Sequence, residues 1–228
     1  MIDDEVWTGM AVDLKGNIYE DILAKTAEDI KSGAGQYFTP RALISAIMNC
    51  LKPKPGEKFK DPATGTGGFF LKAHDYVIDH YADKMNVEQK RFLKFDTFSG
   101  NDIVPRTRRM CLMNMYLHGM GSLDGAVPVD IADSLLRSPT ELVDIVGTNP
   151  PFGKKTSKGD IDEEGNETKE RQIYNRNDFC CETSNKQLNF LQHILTMLKP
   201  TGRAAVVLPD NVLFEKGAGE TIRKRLME

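Results

Sequence analysis

Five short runs rich in apolar and β-branched residues recur along the chain, and helix-length stretches separate them. The runs lie in KFKDPATG, KFDTFSGND, AVPVDIADSL, ELVDIVGTN and RAAVVLPDNVLF. Strands of a parallel sheet are covered on both faces, so they read as short, nearly continuous apolar runs. Between successive parallel strands the chain must cross back, usually through a helix. The alternation therefore predicts an α/β fold: a mostly parallel sheet with helices on both faces. No internal repeat is visible. With 228 residues, 40% hydrophobic and 28% charged, such a chain can bury one substantial core.

The helical stretches carry their own punctuation. From Asn17, the residues Ile18, Ile22, Leu23, Ala27 and Ile30 follow helical spacing up to Gly33. In TPRALISAIMNCLKPKPG, Thr39 is placed to cap and Pro40 suits the first helical position. Leu43, Ile44, Ile47, Met48 and Leu51 form the apolar face, and Pro53 and Pro55 end it. Pro105 opens a further helix that Gly119 closes, and its Met110, Met113 and Met115 are expected to fill core gaps. A helix is read across FLQHILTMLK, followed by a turn at Pro200-Thr201-Gly202. Residues 153–186 form a long polar stretch, expected to be a functional loop or a surface insertion.

Composition excludes some functions. No apolar run approaches a bilayer span, and the N-terminus lacks a signal-peptide pattern. Cys50, Cys111, Cys180 and Cys181 show no CxxC spacing, so they read as reduced, structural thiols of an intracellular protein, with no metal site. A net charge of −3 argues against gripping nucleic acid by one large basic face. Local clusters or a partner must then supply phosphate contacts. Lys154 and Lys155 are candidates; Arg106, Arg108 and Arg109 fit a solvated helix start better.

Chemistry concentrates at two strand ends. In DPATGTGGFF, after the first run, Gly65, Gly67 and Gly68 permit a tight turn and close backbone approach to a ligand. The pattern is neither G-x-G-x-x-G nor a P-loop, so both the dinucleotide and the triphosphate fingerprints fail. Asp102, closing the second run, can hold the hydroxyls of a ribose. It lies farther along than the roughly 20 residues usual in dinucleotide folds. A cofactor with a ribose but no pyrophosphate fits better, and S-adenosylmethionine meets that description. After the fourth run the chain reads Asn149-Pro150-Pro151-Phe152. Taken alone, this is either a proline-rich turn begun by Asn or an active-site segment.

GQYFTPR, DPATGTGGFF and TNPPFG, in this order, resemble the modification subunit of type I restriction-modification systems, N6-adenine DNA methyltransferases. The likeness covers most of the chain, roughly residues 33–214. It implies a Rossmann-like S-adenosylmethionine-dependent fold. Gln36, Tyr37, Phe38, Thr39, Pro40 and Arg41 would close over the cofactor's methionine end. Asp61, Gly65, Thr66, Gly67 and Gly68 would line it, Asp102 would bind the ribose, and Asp133 would neighbour the adenine. Asn149, Pro150, Pro151 and Phe152 would handle a flipped-out adenine. DNA, a sequence-reading specificity subunit and a restriction subunit are the implied partners, with two modification subunits per specificity subunit in a prokaryotic cytoplasm.

Two rivals stay open here: a methyltransferase of protein glutamine or RNA, and an inactive cofactor-binding fragment. In extent the resemblance implies a helical segment over residues 1–32 that ends a larger helical domain. A catalytic domain over 33–228 would then stop after the fifth strand, short of the last two strands of such a sheet.

Overall fold

The computed structural model describes residues 39–122, 124–152, 157–161, 167–171, 174 and 176–228, with 157–161 and 167–171 as backbone only. Helix α1 (Arg41–Leu51) leads into β1 (Phe59–Asp61), α2 (Gly68–Tyr81), α3 (Val87–Phe95) and β2 (Phe98–Asp102). Then come α4 (Pro105–Leu117), β3 (Val129–Ile131), β4 (Val143–Thr148), β5 (Ser157–Ile161) and β6 (Glu167–Arg171). The chain continues through α5 (Lys186–Met197), β7 (Leu198–Val206), α6 (Asn211–Phe214) and α7 (Ala218–Met227). The main sheet has the order β3-β2-β1-β4-β7, and every pair in it is parallel. The predicted alternation thus gives the predicted architecture.

Strand order reverses between β1 and β4, because β2 and β3 add on one side and β7 on the other. A crevice opens at the carboxyl ends of two strands that diverge in this way. The core is layered. Ile145 of β4 points into a cluster with Ile44 and Met48 of α1, Phe70 and Leu71 of α2, and Cys111 and Met115 of α4. Its neighbour Val146 points the other way, to Ile194 and Met197 of α5. Phe59, Phe70 and Phe98 pack their rings with centroids 5.5–6.1 Å apart. Burying each ring contributes about 1.5–3 kcal/mol.

Two glycines inside strands are dictated by this packing. A Cβ on Gly147 would stand 2.6 Å from the Phe59 ring, and one on Gly100 would stand 2.5 Å from the Asp61 carbonyl. At the opposite end, Arg203 forms two hydrogen bonds with the Glu57 carboxylate at 2.8 and 2.7 Å. It also donates to the Lys52 carbonyl at the C-terminus of α1. A cation suits that end of a helix, so Arg203 ties α1 to β7.

Several expectations change. Thr39 does not cap α1: Pro40 is the N-cap residue, no side chain bonds there, and the Leu43 and Ile44 amides donate to the Pro40 carbonyl. The threonine hydroxyl is engaged elsewhere. Met113 is 52% exposed although Met115 is buried, because residues two apart on a helix face different ways. Helix α3 was not foreseen. It starts on a capping box in which Asn86 and Gln89 bond each other's backbone N–H. The expected turn at Pro200-Thr201-Gly202 is a register shift within β7, whose Leu198 pairs with Val143 and Arg203 with Ile145.

The polar stretch also differs from a plain loop. Part of it forms an antiparallel hairpin of β5 and β6, and its returning end packs on the body. Tyr174 clusters with Leu135 and Phe190. The Arg176 guanidinium lies 4.1 Å over the Phe179 ring and donates to His193 Nδ1 at 2.8 Å. Among the described residues, no helix is long and apolar enough to cross a membrane.

Candidate active site

Two strand ends flank the crevice, and the chain builds each differently. On the β1 side, Gly65 and Gly67 take positive φ angles of 53° and 86°, which favour glycine. Gly67 caps α2, and a Cβ there would lie 2.8 Å from Cys111 Sγ. The turn therefore needs glycine both for its backbone and for the sulfur beneath it. Asn114 of α4 donates to the Thr66 carbonyl at 3.1 Å, so α4 supports the turn from below.

Asp102 reaches the same turn from β2. Its Oδ2 accepts from the Gly65 N–H at 3.1 Å, and its Oδ1 from the Val104 N–H at 2.8 Å. Burial raises its pKa, while those two N–H groups oppose the rise. Each oxygen keeps a lone pair for a ligand. Asp61 is 1% exposed and accepts from the Ala63 N–H at 2.9 Å. Burial pushes its carboxyl up to about 7; the Thr148 hydroxyl and the Ala63 N–H work against this, and Asp102 adds to it. A buried carboxyl beside a second carboxyl suits a cationic ligand, whose charge would let both ionise.

On the β4 side, Thr148 accepts from the Val207 N–H of the adjoining segment at 3.0 Å, and Pro150 is buried. The backbone around Asn149 is thus held. The Asn149 side chain donates from Nδ2 to Thr39 Oγ1 at 2.9 Å. Its Oδ1 is buried and has no hydrogen-bond partner among the described residues. An unpaired buried carbonyl costs about 1–3 kcal/mol, and an arriving donor would remove that cost. Pro151 and Phe152 follow, half-buried.

The structure therefore brings together Asp61, Gly65, Thr66, Gly67, Gly68 and Asp102 on one side, and Thr39 with Asn149 and Pro150 on the other. Asp133, just beyond β3, is held through both carboxylate oxygens. Its Oδ1 accepts from the Leu135 N–H and its Oδ2 from the Tyr174 hydroxyl, both at 3.0 Å. Tyr174, missed in the sequence, thus joins the rim through the returning segment. Gln36, Tyr37, Phe38, Lys154 and Lys155 lie outside the described residues, as does the helix expected from Asn17. Pro40 and Arg41 begin α1 beside Thr39.

Known proteins are similar to this chain in sequence and in fold. The methylase subunit of the type I restriction enzyme StySPI from Salmonella potsdam is 44% identical over 225 residues, covering 96% of this chain and 40% of that protein. The crystal structure of the EcoKI M protein superposes with a TM-score of 0.69 at 41% identity, over 92% of this chain and 41% of that one. A modification subunit of a putative type I restriction enzyme from Vibrio vulnificus YJ016 gives a TM-score of 0.73 at 26% identity, over 93% and 42% of the two chains. This chain thus spans 40% of the length of the curated relative. The sequence also matches the N-6 DNA Methylase family over residues 10–228, and the chain belongs to that family.

Proposed function

We propose that this chain transfers a methyl group from S-adenosylmethionine to the N6 amine of a flipped-out adenine in DNA, as the catalytic part of a type I modification subunit. The observation that carries the reading is the Asn149 amide: anchored through Nδ2, with a buried Oδ1 unpaired among the described residues, at the end of the strand that pairs with the one leading into the glycine turn. The cofactor supplies an electrophilic methyl on a sulfonium when bound. The residues present fit it. Gly67 keeps the floor open, Asp102 retains acceptor capacity for ribose hydroxyls, and Asp61 holds a buried carboxyl suited to a cation.

The N6 amine is a weak nucleophile because its lone pair is delocalised into the ring. Flipping the base out of the duplex costs a few kcal/mol. Asn149 Oδ1 would accept a hydrogen bond from one amine N–H. The Pro150 carbonyl, on a residue with no N–H and a locked φ, would accept one from the other. Two acceptors on one amine draw its lone pair out of conjugation and orient it, which is positioning with electrostatic stabilisation. Phe152 would stack on the extruded ring. Lys154 and Lys155 would meet phosphate, and a specificity subunit would choose the site. A restriction subunit and a second modification subunit complete the proposed assembly.

Titration of S-adenosylmethionine into the chain by calorimetry, with Asp102→Ala as control, tests the cofactor half. Binding that the substitution weakens at least tenfold is expected. Wild-type affinity in Asp102→Ala would remove the ribose assignment. With the cognate specificity subunit added, N6-methyladenine should appear in the target duplex; a cofactor-saturated complex that methylates nothing contradicts the reading.

A further inference from the structure

The Thr39 hydroxyl sits one residue before the N-cap of α1, yet it caps nothing. Its bond goes instead across the fold to Asn149, 110 residues away in sequence. That bond decides which end of the amide faces the crevice. A side-chain amide has an acceptor at one end and donors at the other. Turned over, Asn149 would present N–H groups to an incoming amine, and donor would meet donor. The backbone cannot compensate, since Thr148 is held by Val207 and Pro150 has a fixed φ. Rotation of the amide is the freedom left.

A hydroxyl both donates and accepts. Thr39 therefore enforces the productive orientation only when its own proton is committed to another acceptor. With that proton free, the hydroxyl can donate to Oδ1 equally well, and the turned amide becomes available. Of the cofactor's groups, the carboxylate is an acceptor-only anion. We infer that Thr39 is a positioning residue that couples cofactor occupancy to the polarity of the Asn149 amide. The cofactor carboxylate would accept a hydrogen bond from the Thr39 O–H, which fixes the hydroxyl as acceptor for Nδ2 and leaves Oδ1 facing the substrate amine. The inference rests on the proposed methyltransferase reading. It gives the site an order: the acceptor for the amine is set once the cofactor is in place.

The test uses the full 228-residue chain, labelled with ¹⁵N, and follows the Asn149 side-chain NH₂ signal, assigned by its disappearance in Asn149→Ala. S-adenosylmethionine should slow exchange of these protons at least tenfold in the wild type and in Thr39→Ser. Thr39→Val should still bind the cofactor, weakened by about ten- to a hundredfold as for one lost hydrogen bond to a charged group, without slowing that exchange. Decarboxylated S-adenosylmethionine, which keeps the sulfonium and the amine, should bind the wild type and also leave exchange unchanged. If it protects the Asn149 protons as well as the intact cofactor does, the coupling is overturned while the methyltransferase reading stands. The same holds if Thr39→Val shows full protection. If the wild type binds no S-adenosylmethionine, the functional reading falls and the coupling falls with it.

Discussion

The two sides of the crevice share one sheet edge but reach their form in opposite ways. On the β1 side the functional groups are already paired within the protein: Asp102 with Gly65 and Val104, Asp61 with Ala63, and Thr66 with Asn114. On the β4 side the central group is left incomplete, since Asn149 is bonded at Nδ2 and bare at Oδ1. A ligand can enter the first side without rearranging it, because spare lone pairs remain after the internal bonds are made. The second side stores an unmet acceptor until a donor comes. Binding and activation are thereby placed on separate strands of one switch point, and the comparison makes them separable by substitution.

The largest effect on cofactor binding is expected from Gly67→Ala. It places a Cβ on a backbone with φ of 86° and 2.8 Å from Cys111 Sγ. Strain and overpacking of this kind cost about 1–3 kcal/mol each. Calorimetric cofactor affinity should drop more than about a hundredfold, with a lower midpoint in thermal unfolding. Adding Cys111→Ala should recover the packing part and leave the backbone part. Full recovery would mean that the φ angle is unimportant.

A change of pH probes the same side more gently. With its pKa near 7 in the cofactor-free fold, the Asp61 carboxyl is protonated below that pH. A cationic ligand favours the carboxylate, so binding below pH 7 must release a proton. Affinity should fall about tenfold per pH unit below 7 and level off above it. Stability runs the other way. The folded pKa lies above the unfolded value of about 3.9, so this group's contribution is full below that value and is lost as pH rises through about 7. Asp61→Asn should flatten both profiles, and an unchanged affinity profile in that variant would move the effect to another group. The smallest effect belongs to the far side: Phe152→Ala should weaken DNA capture by about tenfold, a stacking contribution, with cofactor affinity unaltered. A change in cofactor affinity would blur the division between the two sides.

The first side was legible in the sequence because its chemistry is local. Asp61 and three glycines at a strand-to-helix turn specify a backbone shape within eight residues, whereas the bonds that Asp102 and Asn114 make to the turn are long-range. The second side was legible only as a motif. Asn149 was singled out, and Thr39 was read both as a helix cap and as part of the cofactor segment, but the bond between them was not foreseen, since they lie 110 residues apart. The Tyr174–Asp133 bond and the Arg203–Glu57 pair are long-range in the same way. The β5–β6 hairpin escaped because SKGDI and ETKER lack the apolar alternation that marks a half-buried strand. Helix α3 buries only Leu93 of its residues, so its periodicity was weak. The Asn86-x-x-Gln89 capping box was the signal available for it.

The most direct test is Asn149→Ala, measured twice on the same preparation with the specificity subunit present. Calorimetry reads the S-adenosylmethionine affinity, and single-turnover analysis reads N6-methyladenine in the target duplex. The expected result is an affinity within about threefold of wild type and methyl transfer reduced by about a hundred- to a thousandfold, as for loss of one preorganised group that stabilises the transition state. Methyl transfer at the wild-type rate, or loss of cofactor binding along with activity, would contradict the separation of the two sides.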